Sequence, residues 1–160
     1  MESLFQYAQQ QYQMVRDSRK ALFDYCKTIS AGDFLKENSS FGRGGSMRNL
    51  LVHIANAYGF WIGQYGLNKN MLFSEYESKQ NVEAVIELFE QVDSLVFEFI
   101  TSLQDNEMKN INYEINGIKN SVQPFKLFTH VITHEFHHKG QILSISRQLG
   151  YTPVDTDIVR

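Results

Sequence analysis

Cysteine is almost missing from this sequence. Cys26 is the only one, so neither an internal disulfide nor a thiolate metal cluster can be built from the chain itself. A lone cysteine on an apolar helix face is expected to be buried and inert. Proline is nearly as scarce, at two residues, and the ten glycines are too few to interrupt most of the 160 positions, which leaves room for long helices. There is no basic run, and the net charge is −3, so nothing draws the protein toward phosphate backbones or anionic lipid. Neither nucleic acid nor a membrane is expected as a partner. No window approaches the roughly 20 apolar residues of a membrane span, and the polar, glutamine-rich stretch from Met1 to Arg19 has no signal-peptide core. A cytoplasmic location is the expectation. With 42% apolar residues the chain can bury one core, and a single domain over residues 1–160 is expected.

What is present reads as helix. From about Glu2 to Ile29 there is no Gly or Pro, and Phe5, Tyr12, Val15, Leu22, Phe23 and Cys26 recur at helical spacing. Ser30 to Gly45 is loop chemistry ending in Gly42, Arg43, Gly44 and Gly45, without the Gly-Lys-Ser/Thr ending of a phosphate loop. Ser46 is a good N-cap for a second helix from Met47 to about Tyr65, on which Leu50, His53, Ile54, Ala57 and Trp61 share one face. Gly66 to Ser78 breaks the pattern. A third helix capped at or just before Asn81 runs to about Leu103, with Val82, Val85, Ile86, Phe89, Val92, Val96 and Phe99 as its buried stripe. Its acidic run, Glu83, Glu87, Glu90 and Asp93, falls mostly outside that stripe and is expected to be solvated. Asn116-Gly117 inside an apolar/polar alternation predicts a short hairpin or extended excursion. The last helix starts at Pro124 and ends at Leu149, capped by Gly150, and the tail from Tyr151 lies over the surface. The fold class expected is all-α, a four-helix bundle with that excursion before the last helix.

Chemistry concentrates in the last helix, where four of the five histidines fall between His130 and His138. At about 100° per residue, His134 and His138 share a face with Leu127, Val131, Gln141 and Ile145, His130 lies at its margin and His137 turns toward the opposite margin. Histidines at i and i+4 stand about 6 Å apart and can aim one nitrogen each at a common ion. His130, His134 and His138 offer two such pairs, but all three span about 12 Å of helix, too far for one ion to be the simple reading. Periodicity aims His53 into the same interior. Three histidines buried together are costly without a partner, so a metal is preferred to a purely hydrogen-bonded cluster. Phe125, Ile132, Phe136 and Leu143 make a second apolar stripe on this helix, for which a symmetric dimer is expected.

His134, Glu135 and His138 also spell the His-Glu-x-x-His pattern of zinc proteases, in which the glutamate is the base. Both completions of that motif are missing: Glu135 is the last glutamate of the chain, and Gln141 and Ser144 stand where the extended form needs glycine and histidine. Periodicity turns Glu135 about 100° from His134, where a partly solvated charge is expected.

Ser46 opening a helix, Leu51-Val52-His53-Ile54-Ala55 followed by Trp61, the His130, His134, His138, Gly140, Gln141, Ile142 series and the closing Leu149-Gly150-Tyr151-Thr152-Pro153 together resemble the DinB/YfiT-like family. This is the damage-inducible family of metal-dependent four-helix-bundle proteins, not the polymerase that shares the name. The resemblance covers essentially the whole chain. It implies His53, His134 and His138 as ligands of a divalent ion, zinc or nickel, with His130, Gln141 and Tyr58 supporting the ligands or facing the substrate. Tyr58 stands where many similar sequences carry an acidic residue, and no residue is assigned as acid or base. The activity implied is transfer of a low-molecular-weight thiol, such as bacillithiol or mycothiol, to an electrophilic small molecule. The alternatives are hydrolysis by metal-bound hydroxide and a non-enzymatic, metal-stabilised stress-response homodimer.

Overall fold

The structure is a computed structural model that describes residues 4–37, 41–43, 45–105 and 109–160. The expected start at Glu2 and the expected loop residue Gly44 lie outside them. The fold is mostly helical, with α1 at Leu4–Cys26, a short α2 at Ala31–Leu35, α3 at Met47–Tyr58, α4 at Val82–Asp105 and α5 at Pro124–Gln148. A two-stranded antiparallel ribbon, β1 at Ile111–Ile115 and β2 at Ile118–Val122, precedes α5. No helix among the described residues is long and apolar enough to cross a membrane.

Local chemistry sets most of the ends. The Ser46 hydroxyl accepts from the Asn49 amide at 2.9 Å and opens α3, and the Asn81 side chain does the same for the Ala84 amide at α4. Pro124 occupies the first turn of α5, where its missing N–H costs nothing. Gly150 takes φ +95° just past α5, so that the Tyr151 amide reaches back to the Ser146 carbonyl. Asn116 and Gly117, at φ +52° and +77°, make the tight turn of the ribbon.

Two elements differ from the sequence expectation. The expected loop after Ile29 contains α2, opened by Ser30, whose hydroxyl accepts from the Asp33 amide. The second helix does not stay α-helical to Tyr65. From Gly59 to Gly66 it widens to π-helical bonding, with the Leu67 amide donating to the Ile62 carbonyl five residues back. Gly63 and Gly66 let Met71 and the Phe99 ring approach the wider coil, so the sequence there trades side chains for close packing.

α1 packs on α4 and α5, and α3 packs on α4 and α5. Tyr12, Leu22 and Cys26 of α1, Leu50, Ile54 and Tyr58 of α3, Val85 and Phe99 of α4, and Phe128 and Ile145 of α5 meet in the core. Burial pushes the Cys26 thiol up to about 12, as expected of an inert residue. The second stripe of α5 finds cover within the chain. Ile132 is buried, and Phe136 and Leu143 lean on the core, leaving Phe125 exposed. A groove of about 390 Å³ remains there between α1 and α5, with Met14, Ile132, Phe136 and Ile158 in its walls. The tail crosses α1: the Ser18 hydroxyl donates to the Thr156 carbonyl, and Arg160 reaches the Asp17 carbonyl.

Candidate metal centre

The contact between α3 and α5 brings His53, His134 and His138 together although more than eighty residues separate the first from the others. Ring centroids are 5.1 Å apart for His53 and His134, 4.8 Å for His53 and His138, and 4.5 Å for His134 and His138. Each ring offers one nitrogen, and these three atoms lie within 4.8 Å of one another. The trio could hold a metal ion.

Burial lowers all three basicities. His53 falls to about 4 and His134 to about 3, in each case through desolvation first and the neighbouring imidazoles next. His138 is lowered by desolvation too, against the upward pull of its Gln141 hydrogen bond. Neutral imidazoles are the form that binds metal.

The donor set fits a divalent ion better than it fits a hydrogen-bonded cluster. His134 Nε2 and His138 Nε2 face each other at 3.1 Å. Two nitrogens each about 2.1 Å from a shared ion stand no more than about 4.2 Å apart, so this pair satisfies that limit, and the trio, whose atoms lie within 4.8 Å of one another, exceeds it by at most about 0.6 Å. Without an ion, one contact must serve both of these nitrogens, while the buried Nδ1 on the other side of the His134 ring has no hydrogen-bond partner among the described residues with or without an ion at Nε2. His53 makes no ring hydrogen bond among the described residues. His53 is half-exposed, so water can serve its ring when no ion is present. Imidazole-only coordination suits zinc, nickel, copper and iron alike.

Gln141 supports the site. Its Oε1 lies 2.7 Å from His138 Nδ1, and if Nδ1–H donates there, Nε2 is left free to point at the trio. Its amide also meets His137, which is exposed. His130 does not join the trio. Its ring is 6.0 Å from that of His134 and stands edge-to-face with Trp61 at 5.2 Å. Arg43, with its backbone at φ +51° and its carbonyl held by the Asn49 side chain, is close enough to lower His53 and His138 electrostatically.

An expectation fails at Glu135. Tyr58, expected to support the ligands or face the substrate, is fully buried, and its hydroxyl donates to Glu135 Oε2 at 2.6 Å. Glu135 is not a partly solvated charge but is completely buried at the centre of an ion-pair network. Arg19 grips it with Nε and Nη2, both at 2.9 Å, and Lys139 Nζ lies 3.1 Å from Oε1. Burial alone would raise the carboxyl, but Arg19 and then Lys139 hold it down at about 2. Arg19 continues to Asp93, which also takes Tyr12 and Arg16, so that acidic residue is not a solvated one either. With both oxygens engaged by α1 and α3, Glu135 is unavailable as the base that the His-Glu-x-x-His pattern would require. The residues missed by sequence reasoning are therefore Arg19, Lys139 and Asp93.

A scan against protein-family models matches the chain over residues 3–160 to the model described as the DinB family. A search of curated proteins finds no match.

Proposed function

The chain belongs to the DinB family, and on that premise we propose that it is a metal-dependent enzyme, with a divalent ion held by His53, His134 and His138, that transfers a low-molecular-weight thiol to an electrophilic small molecule. The observation that carries this reading is the convergence of three neutral imidazoles from two helices, their nitrogens within 4.8 Å of one another, with no carboxylate in the cluster among the described residues. A divalent ion bound only by neutral imidazoles keeps its full charge and lowers the pKa of a thiol or water that reaches it.

The chain's own residues prepare that chemistry. Burial keeps the three rings unprotonated, Gln141 orients His138, and the Glu135 network locks the adjacent side of α5 to α1 and α3. Arg43 adds a positive charge beside the trio, which favours an anionic reactant. The preference for a thiol over water rests on the family resemblance. Hydrolysis uses the same site and is the second reading. A purely structural ion is disfavoured because a closed site needs a fourth protein donor, no carboxylate joins the trio among the described residues, and Glu135, next to His134 in sequence, is fully committed. The long helices fit a four-helix bundle, and the groove between α1 and α5 is where a homodimer would form. A cytoplasmic protein with abundant small thiols around it fits the same scheme.

The test is metal analysis of the purified protein, followed by reaction of 1-chloro-2,4-dinitrobenzene with a panel of thiols after zinc or nickel is restored. His138→Ala is expected to lose both metal and thiol-dependent turnover. Stoichiometric metal in that variant would refute the ligand assignment, and turnover indifferent to thiol would turn the reading to hydrolysis. Sedimentation at several concentrations tests the dimer; a concentration-independent monomer removes it.

A further inference from the structure

Beside the trio, the π-helical turn, the ribbon and the first turns of α5 enclose an alcove of about 270 Å³, lined by Trp61, Tyr113, Val122, Lys126, Leu127 and His130. We propose that it binds a small aromatic carboxylate, with the ring against Trp61 and Tyr113 and the carboxylate at Lys126.

The walls are aromatic and preformed. Trp61 meets Tyr113 at 5.3 Å and 77°, and His130 at 5.2 Å and 79°, so ring edges and faces already alternate around the space. The ribbon is tied to the π-helical segment by the Tyr65 hydroxyl, which donates to the Glu114 carbonyl at 2.6 Å and accepts from the Glu114 amide at 3.3 Å. An apolar cavity of about 150 Å³ is enough for benzene, so the alcove has room for one ring with substituents. Val122 and Leu127 supply the apolar floor that rewards a ring over a polar ligand.

The electrostatics select an anion. Lys126 is the only formally charged residue in the lining and makes no ion pair among the described residues. Glu114, on the ribbon, sits opposite Lys119 in the strand register and lines the neighbouring groove instead. The first turn of α5 has no acidic residue, and Gln123 makes no side-chain cap, so the positive end of that helix is not neutralised locally. One lysine and a space this small match a single carboxylate.

Position gives the alcove its meaning. Lys126, His130, His134 and His138 follow one another at four-residue steps along α5, each about 6 Å of helix from the last. A ligand anchored at Lys126 places its far end at His130, one turn from His134. Only that last point depends on the proposed metal site; binding itself does not.

Trp61 is the only tryptophan, so its fluorescence reports on the alcove directly. Metal-free and metal-loaded full-length protein are titrated with phenylacetate, and with phenylacetamide as an uncharged probe of the same shape. A saturable emission change is expected with both proteins, with phenylacetate bound about tenfold more tightly than phenylacetamide, as a charge-assisted contact provides. Lys126→Met is expected to erase that preference, and Tyr113→Ala to weaken both probes together. No saturable change, equal affinity for the two probes, or an unchanged preference in Lys126→Met would overturn the proposal. Because the metal-free protein is titrated, a failed metal assignment leaves this result standing, and a failed titration leaves the metal assignment standing.

Discussion

Replacing Glu135 by alanine is expected to be among the most damaging single changes in the protein, although Glu135 is not one of the three residues that could hold a metal ion. Its carboxylate is 0% exposed, and the two cations it serves, Lys139 and Arg19, are 1% and 3% exposed. Alanine removes both Arg19 contacts, the Lys139 ion pair and the acceptor of the Tyr58 hydroxyl. Arg19 keeps Asp93 at 2.7 Å, but Lys139 keeps the Ser18 hydroxyl at 2.8 Å and the face of the Phe136 ring at 4.1 Å and no carboxylate, so a positive charge without an anion stays inside. Removing one partner of a buried pair costs about 3–5 kcal/mol. At about 2–4 °C per kcal/mol for a chain of this length, the thermal midpoint falls by roughly 6–20 °C. Urea denaturation of the metal-free protein, followed by circular dichroism, measures the loss at unchanged slope. The triple change Arg19→Met, Glu135→Leu and Lys139→Met removes the charges together and is expected to be less damaging than Glu135→Ala alone. A cost below about 1 kcal/mol for Glu135→Ala, or a triple variant less stable than the single one, would refute the reasoning.

Gln141→Ala is expected to weaken metal affinity by about 10–100-fold with the ligands intact, because Gln141 orients His138; competition with a chromophoric chelator measures it. The metal-free protein is expected to lose thermal stability as pH falls from about 7 to 4. His53 and His134 titrate at about 4 and about 3 when folded, below the roughly 6.5 of an unfolded chain, so the unfolded state binds more protons across that window. Glu135, held at about 2, extends the loss below pH 4.5 with the same sign, and a flat profile would contradict both. Gly66→Ala places a Cβ 2.9 Å from two atoms of the buried Phe99 ring and is expected to cost about 1–3 kcal/mol, with a shift in Trp61 emission as the π-helical turn adjusts.

Much of the fold was legible because its signals are local. Ser46, Asn81, Pro124, Gly150 and Asn116-Gly117 each act through their own backbone, and each sits where its chemistry requires. The trio was legible once His53 could be phased with α5. The π-helical turn was not, because Gly59 to Gly66 keeps helical composition and only close approach by Met71 and Phe99 explains its glycines. Glu135 was misplaced and Arg19 missed for a different reason. In α1, Tyr12, Val15, Arg19, Leu22 and Cys26 alternate at three and four residues, and all are buried. In α5, Phe128, Val131, Glu135, His138, Ile142 and Ile145 do the same. The seam between packed helices follows a repeat nearer 3.5 than 3.6 residues, so a charge inside it is a buried charge awaiting a partner.

That seam and the ridge of Lys126, His130, His134 and His138 drift apart along α5 and cross at His138. His134 belongs to the ridge alone: it is partly exposed, and its buried Nδ1 has no partner. His138 belongs to both, being 8% exposed, packed in the seam and bonded to Gln141. Two residues with the same proposed duty toward metal should therefore differ when metal is absent. His138→Ala gives up a seam contact and a hydrogen bond and is expected to cost the metal-free protein about 1–2 kcal/mol. His134→Ala gives up the contact with His138 Nε2, which both variants lose, but it relieves an unmatched buried nitrogen and is expected to cost less than His138→Ala. Urea denaturation of both variants after exhaustive chelation reads the difference. Equal losses would mean that the crossing has no energetic consequence; unequal losses, together with loss of metal in both, would mean that α5 carries its chemistry on one register and its fold on another.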